Sequence, residues 1–334
     1  MTTPVRPAGP DTIAHAAAIL RGGGLVALPT ETVYGLAANG LDPRAVAGIF
    51  AAKGRPADNP LILHVPDYAA VAGIVDAPPA IAGRLAEIFW PGPLTLVLRR
   101  SAKVPEIVSA GLETVAVRVP DHPVARAILR ACGRPLAAPS ANRSGRPSPT
   151  RAEHVLADLD GRIDLIVDGG PTAHGIESTV VDLSELDRGG PPLLLRQGAI
   201  AREALSAHLP GLVDGAAIAP ERSPGLRHRH YAPRARLEIV DNGALAERAR
   251  ALAGEGRTVG VLAGGVDDEA PRDPEIAGVR WLAFDGGLEG YARGLFAGLR
   301  TLDALAVERI LAAAPPEIGI GRALADRLRR AAAG

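Results

Sequence analysis

The chain has 334 residues, in which 37 acidic residues balance 37 basic ones, so its formal net charge is zero. This length is typical of about two domains, and the 47% of hydrophobic residues predict a globular protein with a sizeable core. The balanced charge excludes a general attraction for nucleic acid or membrane surfaces. The single cysteine, Cys132, excludes an intramolecular disulfide framework, and we expect it to be a buried core residue.

Helix and strand patterns alternate up to about residue 205. Asp11, Asp42 and Asp121 are predicted to cap helices, and Thr150 with Glu153 has the spacing of a capping box. Several spacings are too short for helical crossovers, which predicts an α/β sheet with antiparallel members. The predicted elements are helix 11–21, strand 25–28, a helix from 42, strand 61–65, helix 80–89, strands 94–98 and 115–119, helices 121–132 and 150–159, and strands 165–167, 180–183 and 193–195.

A segment from about 206 to 234 interrupts this alternation. Its last part, 223–233, is rich in proline and glycine and suits neither a helix nor a strand. Alternation then resumes, which predicts a small three-layer α/β domain. We therefore predict a first domain at 8–205, a linker at 206–234 and a second domain at 235–334. The elements predicted for the second domain are strands 237–240, 258–262, 279–282 and 306–310 and helices 244–253 and 288–299.

The sequence gives no sign of export or membrane insertion. The first residues lack a basic segment followed by an apolar run, so we expect no secretory signal. No apolar stretch approaches about 18 residues, the length that a membrane span requires. These features predict a cytoplasmic protein without membrane contacts.

Two polar segments in the first half follow predicted elements. Residues 29–35 come directly after a buried strand, where ligands of open α/β sheets collect, although a capped strand-to-helix turn explains them equally well. Lys53 and Arg55 flank Gly54 at the end of a helix. Both cations could complement the helix dipole, or they could bind a polyphosphate beside the glycine. The segment is not a Walker A loop, because Gly-x-x-x-x-Gly-Lys-Ser/Thr is absent.

Two further polar segments lie later in the predicted first domain. Residues 137–145, followed by Ser148, combine hydroxyls, an amide and glycine, and they could bind phosphate oxygens or be a plain polar loop. Residues 174–180 place hydroxyls where a strand begins, and Arg196 ends a nearby strand. The alternative for this last group is a surface strand end with a solvated arginine.

Known catalytic motifs fit this sequence poorly. Gly-x-Ser-x-Gly is absent, and no His-x-x-x-His pair flanks a glutamate. His228 and His230 could bind a metal, but no cysteines accompany them, so we predict no metal site of the protein's own. Cations, hydroxyls and backbone amides around a cleft suit phosphoryl or nucleotidyl transfer, in which positioning and charge stabilisation do most of the catalysis.

Taken together, these segments resemble the YrdC-type threonylcarbamoyl-AMP synthases over essentially the whole chain. The linker 223–233 is similar to that of the long form, which carries a Rossmann-like C-terminal domain. The motifs that carry the resemblance are Pro-Thr-Glu-Thr-Val-Tyr-Gly-Leu at 29–36, Lys-Gly-Arg-Pro at 53–56, Asn-Pro-Leu-Ile at 59–62, Trp-Pro-Gly-Pro-Leu-Thr at 90–95, Ala-Pro-Ser-Ala-Asn at 138–142 and Gly-Ile-Glu-Ser-Thr-Val-Val-Asp at 175–182.

The resemblance implies both a fold and a reaction. The fold would be a YrdC-like twisted mixed sheet with helices on both faces, plus a smaller Rossmann-like three-layer α/β domain. The reaction would join L-threonine, bicarbonate and ATP into threonylcarbamoyl-AMP and pyrophosphate, with Mg²⁺ accompanying the ATP. A separate tRNA threonylcarbamoyl transferase would take the product and modify an adenosine next to the anticodon. A weak direct contact with RNA is left open.

The resemblance also implies roles for individual residues. Lys53 and Arg55 would act in catalysis at the phosphates. The positions that match threonine-binding ones are Thr32, His64, Arg118, Ala138 (through its backbone) and Ser178. The positions that match ATP-binding ones are Arg55, Asn59, Thr114, Ser140, Ser148, Arg196 and Tyr231.

Two local features qualify this picture. Residues 185–192 lengthen the loop before Arg196, and Leu226 stands where the family's linker more often has methionine. We further predict that the linker 223–233 folds over the nucleotide as a lid and places Tyr231 against ATP.

Three alternatives stay open from the sequence. The first is another carbamoyl-adenylate enzyme, as in hydrogenase maturation, although no acylphosphatase or zinc-finger-like segment accompanies the motifs. The second is a non-catalytic RNA-binding module, which the neutral charge and the scarcity of aromatic residues disfavour. The third is an amino-acid-binding regulator built on the second domain, where Gly264 and Gly265 form only a weak signal.

Overall fold

The computed structural model describes residues 2–223, 231–265 and 272–333. The described residues form two compact units. The first unit comprises residues 2–144, 149–173 and 177–223, and the second comprises 145–148, 174–176, 231–265 and 272–333. Two short stretches that precede residue 177 therefore belong to the second unit, an arrangement that no sequence pattern indicated. The predicted domain boundaries at 205 and 235 stay predictions.

The first unit is built on one mixed sheet with helices on both faces. Its described strands are β1 (Val5–Pro7), β2 (Val26–Leu28), β3 (Gly35–Asn39), β4 (Ile62–His64), β5 (Leu94–Arg99), β6 (Thr114–Arg118), β7 (Leu136–Ala137), β8 (Leu165–Asp168), β9 (Thr179–Asp182), β10 (Leu193–Arg196) and β11 (Val213–Asp214). Its described helices are α1 (Pro10–Arg21), α2 (Pro43–Lys53), α3 (Ala80–Phe89), α4 (Glu106–Ser109), α5 (Pro123–Cys132), α6 (Ala152–Leu159) and α7 (Arg202–Ser206).

The strands follow the order β1-β8-β2-β3-β7-β4-β6-β5-β9-β10-β11 across this sheet. The pairs β4–β6 and β5–β9 are parallel, whereas β2–β3, β4–β7 and β5–β6 are antiparallel. The prediction of an α/β sheet with antiparallel members is therefore confirmed. The central position of β6, between β4 and β5, matters most for the site.

Residues 29–34 connect two strands rather than a strand and a helix. Antiparallel pairing of β2 with β3 places Leu28 opposite Gly35, so the chain turns back on itself at this segment. The N–H of Leu36 donates to the carbonyl of Pro139 at 2.7 Å, which ties β3 to the segment after β7. The alternative of a strand-to-helix turn is therefore wrong, because residues 35–39 form a strand that pairs with a partner distant in sequence.

Helix α2 begins and ends as its sequence predicts. The carboxylate of Asp42 accepts hydrogen bonds from the N–H groups of Arg44 at 2.8 Å and Ala45 at 3.4 Å, and Pro43 fills the first turn. Gly54 ends the helix in the left-handed conformation with φ of 62°, which a residue without Cβ adopts without strain. This ending fixes where Lys53 and Arg55 leave the helix.

Three other predicted caps are wrong. Helix α1 begins at Pro10 after Gly9, so Asp11 lies in its first turn. The side chain of His122, rather than Asp121, caps α5 by accepting from the N–H of Val124 at 3.3 Å. At α5, a ring nitrogen of His122 thus takes the place of the Asp121 carboxylate as the hydrogen-bond acceptor.

The third wrong cap is the capping box predicted at α6. Arg151 occupies the position before the helix without a side-chain cap. The N–H of Thr150 donates to Nδ1 of His154 at 3.2 Å, so the reciprocal bond comes from a histidine one position beyond Glu153.

Residues of β6 alternate between the two faces of the sheet. Val115 and Val117 lie in the main hydrophobic core. Ala116 packs on the opposite face, in a smaller cluster with Ile62, Val97 and other aliphatic side chains. Because the period of a strand is two residues, Thr114 and Arg118 share that second face with Ala116.

Helices α1 and α5 pack together on the sheet in a third cluster. Cys132 lies in this cluster, buried and as a free thiol, which confirms its predicted place in the core. Burial raises the pKa of the Cys132 thiol, so the group is kept protonated and unreactive.

The second unit contains a parallel sheet in the order β12-β15-β13-β14 with helices around it. This is the smaller α/β domain that the sequence predicted. No described helix is both long and apolar enough to cross a membrane. The described elements are β12 (Arg236–Val240), α8 (Leu245–Gly254), β13 (Val259–Ala263), β14 (Val279–Ala283), α9 (Gly287–Ala304), β15 (Arg309–Ala313) and α10 (Gly321–Ala332).

One strand of this unit lies later in the chain than predicted. Helix α9 extends to Ala304, and the N–H of Val307 donates to the carbonyl of Leu302 at 3.4 Å. Ala306 adopts φ of 52° in the turn that ends the helix. The strand therefore begins only at Arg309, because residues 305–307 are needed to reverse the chain.

Candidate active site

The turn between β2 and β3 is organised by the hydroxyl of Thr30. This hydroxyl donates to the carbonyl of Val33 at 2.6 Å and accepts from the N–H groups of Thr32 and Val33. The hydroxyls of Thr30 and Thr32 lie 2.8 Å apart. Since Thr30 has already given its one proton to Val33, Thr32 is the donor of this pair. Thr30 thereby holds Glu31 and Thr32 in place, and both are buried.

Arg118 ends β6 with its guanidinium held from three sides. Nε donates to the carbonyl of Gly92 at 3.2 Å, and Nη1 donates to the hydroxyl of Thr32 at 3.0 Å. Nη2 lies 2.6 Å from Oε1 of Glu31 in a buried ion pair. His64 is the partner of Arg118 in the β4–β6 register, so the imidazole lies on the same face of the sheet. Thr32, His64 and Arg118 are thus brought together around Glu31, a residue that no sequence pattern had singled out.

Burial controls the charges in this cluster. It would raise the pKa of the Glu31 carboxyl, but the adjacent Arg118 guanidinium and the nearby N–H groups of Asp121 and Glu31 outweigh it and hold that pKa below its usual value. Burial, reinforced by the charge of Arg118, lowers the pKa of His64 from 6.5 to about 3. His64 is therefore neutral at physiological pH, and Nδ1 makes no hydrogen bond with any described residue. We call Glu31, Thr32, His64 and Arg118 the Arg118 cluster.

Ala138 lies just after β7, next to the same strands. Its N–H donates to the carbonyl of Ile62 at 3.0 Å. Its carbonyl is therefore the backbone group through which the predicted contact with an amino acid would act.

A second cluster forms where α2 meets the segment after β7. The ammonium of Lys53 donates to the carbonyls of Ser140 and Asn142, each at 2.5 Å. The hydroxyl of Ser140 donates to Oδ1 of Asn142 at 2.6 Å, and the N–H of Ser144 donates back to the carbonyl of Lys53 at 2.9 Å. Lys53 is nearly fully buried, at 2% exposure, so this is not the solvated helix-end lysine that the dipole explanation requires. We call Lys53, Arg55, Asn59, Ser140 and Asn142 the Lys53 cluster.

Arg55 continues this cluster beyond the end of α2. Its Nη2 donates to the carbonyls of Pro60 at 2.9 Å and Asn59 at 3.3 Å. No atom of a described residue lies within 4 Å of the position that a Cβ on Gly54 would take, so among these residues the backbone between the two cations is open to an approaching group. Two buried cations beside an accessible stretch of backbone can bind oxygens of a polyanion.

Ser178 and Arg196 meet beside the start of β5. Nη2 of Arg196 donates to the hydroxyl of Ser178 at 3.1 Å and to its carbonyl at 3.0 Å. The hydroxyl of Ser178 also lies 2.8 Å from that of Thr95. In the antiparallel β5–β6 register, Leu96 pairs with Val117, so Thr95, one residue before Leu96, lies beside Arg118. Thr95 ends the motif at 90–95, but no local pattern indicated that its hydroxyl would face this site.

Thr114 lies at the opposite end of β6 from Arg118. The two residues are four positions apart, which corresponds to roughly 13 Å at about 3.3 Å per residue. Because β4 runs parallel to β6 and Ile62 pairs with Ala116, the Asn59 that precedes β4 lies toward the Thr114 end of the sheet. Asn59 and Thr114, which are predicted to bind ATP, thus lie toward the end of β6 opposite Arg118 and His64, with the small side chain of Ala116 between them. Arg196, which is also predicted to bind ATP, lies at the Arg118 end beside Ser178.

Ser148 and Tyr231 belong to the second unit. Ser148 is buried, and the N–H of Ala232 donates to the carbonyl of Gly145 at 2.9 Å. The ring of Tyr231 stacks on Phe296 with centroids 5.2 Å apart, and the guanidinium of Arg327 lies 5.5 Å from its centroid. Most of the segment predicted as a lid, residues 224–230, lies outside the described residues.

In the part of the chain that the structure describes, no group of three or more His, Cys, Asp or Glu side chains could hold a metal ion. The pair His228 and His230 lies outside that part. The fold and the site together define an α/β protein with a buried, cation-bearing ligand site on one face of its central sheet.

Comparison with known proteins identifies the family. A family model for Sua5, YciO and YrdC proteins, described as telomere recombination, matches residues 18–198. A second model, described as the C-terminal domain of threonylcarbamoyl-AMP synthase, matches residues 200–333. The threonylcarbamoyl-AMP synthase of Pyrococcus abyssi is 44% identical over 95% of this chain and 92% of its own length. That of Bacillus subtilis is 46% identical over 96% of this chain and 93% of its own length.

A solved structure agrees with the sequence relatives. The crystal structure of P. abyssi Sua5 complexed with L-threonine superposes with a TM-score of 0.90 at 41% identity, and it covers 99% of this chain and 98% of that one. The chain belongs to the long-form Sua5 family of threonylcarbamoyl-AMP synthases.

Proposed function

We propose that this chain is a nucleotidyltransferase that makes L-threonylcarbamoyl-AMP and pyrophosphate from L-threonine, bicarbonate and ATP. The observation that carries the proposal is the arrangement along one face of β6, where the Arg118 cluster lies at one end and Thr114 at the other. A carbamate formed on an amino acid at Arg118 needs to reach a nucleotide phosphate nearby, and one continuous face of a sheet provides the path. Crystals of the P. abyssi relative with L-threonine support the choice of amino acid.

At the amino-acid end, Arg118 would bind the carboxylate of threonine through its guanidinium. Thr32, Ser178 and the carbonyl of Ala138 would add hydrogen bonds. His64, being neutral, would offer a hydrogen-bonding nitrogen without adding charge. Neighbouring residues already hold these side chains in place, so binding would cost little conformational entropy.

At the nucleotide end, Lys53 and Arg55 would stabilise the charge on the phosphates. Arg196, which lies beside Ser178, would offset charge on pyrophosphate as it leaves. Mg²⁺ would enter as part of the ATP substrate and bridge phosphate oxygens. The remaining residues proposed to bind ATP are Asn59, Thr114, Ser140, Ser148 and Tyr231.

The proposed chemistry has two steps. The ammonium of threonine first loses a proton to solvent. The uncharged amine then attacks the bicarbonate carbon, and loss of water gives the N-carboxylate. An oxygen of that anionic carbamate attacks the α-phosphorus of ATP in line, and the bond to the β-phosphate breaks to release pyrophosphate. Since the attacking carbamate is already an anion, this second step needs no strong protein base. The mixed anhydride formed is reactive enough for a separate cytoplasmic transferase to move its threonylcarbamoyl group to an adenosine of tRNA.

The experiment measures pyrophosphate release from ATP and Mg²⁺ with L-threonine and bicarbonate each supplied or withheld. We expect release only when both are present, and we expect it to be lost with L-serine or L-alanine in place of threonine. Release without threonine would instead indicate another carbamoyl-adenylate reaction. If no condition gives release, the enzyme proposal fails and salt-dependent RNA binding becomes the next property to measure.

A further inference from the structure

Glu31 is a buried carboxylate that the reaction described above leaves without a role. Only 5% of the residue is exposed. By strict geometry neither carboxylate oxygen makes a hydrogen bond with a described residue, although Oε1 lies 2.6 Å from Nη2 of Arg118 and the N–H groups of Asp121 and Glu31 lie close enough to favour the charged carboxylate. Buried polar atoms in folded proteins nearly always have a hydrogen-bond partner, and an exception calls for an explanation.

The surroundings of Glu31 place it inside the amino-acid end of the site. It precedes Thr32 in the turn that Thr30 holds, and it pairs with Arg118. Its charge also acts on the imidazole of His64. The Nδ1 atom of His64 is likewise without a hydrogen bond among the described residues. Two buried groups of one cluster thus offer hydrogen-bonding atoms that a small polar ligand can satisfy.

We propose that Glu31 binds the ammonium group of the amino-acid substrate, so that Glu31 and Arg118 together recognise a zwitterion. The inference deepens the proposed function and rests on it. An ammonium is a compact cation with three N–H donors, which is what a carboxylate with an unsatisfied oxygen can accept. The carboxylate of the same amino acid would complement Arg118.

The pairing of opposite charges gives the site a specificity that Arg118 alone lacks. A lone buried arginine attracts any small carboxylate or phosphate. With Glu31 beside it, a ligand that carries only a negative charge is attracted by Arg118 and repelled by Glu31 at close range. A zwitterion is attracted by both side chains, through its carboxylate at Arg118 and its ammonium at Glu31. The arrangement therefore selects against organic acids and inorganic phosphate as well as in favour of an amino acid.

A competing explanation is that Glu31 only positions Arg118. In that case removal of the carboxylate weakens every ligand that uses Arg118, whether or not the ligand has an amine. The two explanations predict different responses to a ligand that matches threonine but lacks its ammonium. (R)-3-Hydroxybutyrate is such a ligand, since it keeps the carboxylate, the hydroxyl and the methyl group.

The experiment measures by calorimetry how wild-type and Glu31→Gln proteins bind L-threonine and (R)-3-hydroxybutyrate. We expect Glu31→Gln to weaken L-threonine about 10- to 100-fold, the range for a hydrogen bond to a charged group. It should leave (R)-3-hydroxybutyrate unchanged or tighter. An equal loss for both ligands would overturn the role of Glu31 in amine recognition and leave it a positioning residue.

Failure of the inference and failure of the proposed function give different results. If the wild-type protein does not bind L-threonine at all, the amino-acid assignment falls and the inference falls with it. If it binds L-threonine and (R)-3-hydroxybutyrate equally well, the inference alone is overturned. This second comparison uses only wild-type protein, so it stands even if Glu31→Gln does not fold.

Two further variants complete the design. Glu31→Asp keeps the charge but shortens the side chain, and it should bind L-threonine with an affinity between those of wild type and Glu31→Gln. Glu238→Gln removes a carboxylate from an ion pair with Arg248 in the second unit, where both side chains are substantially exposed. It should bind both ligands as the wild type does, and a loss of threonine binding in this control would overturn the assignment of the effect to the site.

Discussion

The two clusters of the first unit differ in the groups that contact their cations. In the Arg118 cluster a buried guanidinium faces a buried carboxylate, so the charge of Arg118 is largely balanced within the protein. In the Lys53 cluster the ammonium of Lys53 donates to two backbone carbonyls, and Arg55 also donates to carbonyls. The Lys53 cluster therefore places two cations among carbonyl, hydroxyl and amide groups, whereas the Arg118 cluster suits a ligand whose charges sum to zero.

The difference matters because Asn59 of the Lys53 cluster lies toward the end of β6 opposite Arg118. Without Glu31, phosphate groups could occupy the amino-acid end through Arg118 and block it. Glu31 makes that end unattractive to phosphate while it leaves Arg118 able to bind a carboxylate next to an ammonium. Charge balance, rather than shape alone, would then direct each substrate to its own end of β6.

Replacement of Arg118 by methionine should give the largest effect, because it leaves the Glu31 carboxylate buried without a counter-ion. Breaking a buried pair in this way costs about 3–5 kcal/mol of stability. Urea unfolding measures that loss, and calorimetry should show no L-threonine binding but nearly normal ATP binding. Arg248→Met, which removes a partner from an exposed ion pair, is the control and should unfold like the wild type. Equal losses of threonine and ATP binding would mean that the two clusters are not separate.

Replacement of Lys53 by methionine tests the other cluster. It removes the donor to the carbonyls of Ser140 and Asn142 and the charge that we assign to the phosphates. We expect the KM for ATP to rise about 10- to 100-fold, as for loss of a charged hydrogen bond, with little change in the KM for threonine. Steady-state pyrophosphate release measures both constants.

The matched control for Lys53 is the other lysine of the chain, Lys103, which is exposed. Lys103→Met should keep wild-type kinetics. Lys53→Arg should recover only part of the activity, because a planar guanidinium does not fit the two-carbonyl position of a compact ammonium. Full activity in Lys53→Met would contradict the assignment of this cluster to the nucleotide.

The pH dependence of stability tests whether water is excluded from the Arg118 cluster. His64 has a pKa of about 3 in the folded protein against 6.5 ordinarily, so between these values the unfolded chain binds the extra proton. Stability contributed by neutral His64 is therefore complete above pH 6.5 and falls as the pH drops toward 3, with a limiting slope of about 1.4 kcal/mol per pH unit.

Urea unfolding at pH 7, 6 and 5 should show that decline in the wild type and a smaller one in His64→Gln. This range lies above 4.5, the ordinary pKa of a glutamate, so protonation of Glu31 contributes little to it. Identical pH dependence in both proteins would show that His64 is solvated and that the cluster is open to water.

Replacement of Thr95 by valine should have the smallest effect of the four. It removes the hydroxyl that contacts Ser178 at 2.8 Å while keeping the shape of the side chain. A neutral hydrogen bond contributes about 0.5–1.5 kcal/mol, so the KM for threonine should rise about 2- to 10-fold. Thr95→Ser keeps the hydroxyl and should stay near the wild type in the same assay. If the valine and serine variants behave alike, the hydroxyl of Thr95 does not position Ser178.

Local sequence patterns predicted most elements of this fold. Asp42, Pro43 and Gly54 bound α2 because capping and left-handed ends are decided by residues within one turn of each other. The polar segments after β2 and β7 were recognised as candidate site residues for the same local reason. The patterns failed where a side chain of similar chemistry stood one position away, as at His122, or where a turn needed extra residues, as before β15.

Sequence by itself determined the class of fold, the order of the motifs and the residue types available for binding. Only the tertiary structure decided which of them meet. Lys53 reaches Ser140 across 87 positions, Arg118 reaches Thr32 across 86, and Thr95 reaches Ser178 across 83. Those contacts depend on the order in which eleven strands of the described chain pair, and that order is a property of the assembled sheet. The buried charge of Glu31 beside Arg118 follows from the same pairing, because no local pattern distinguishes a glutamate that will be buried opposite an arginine from one that will lie in solvent.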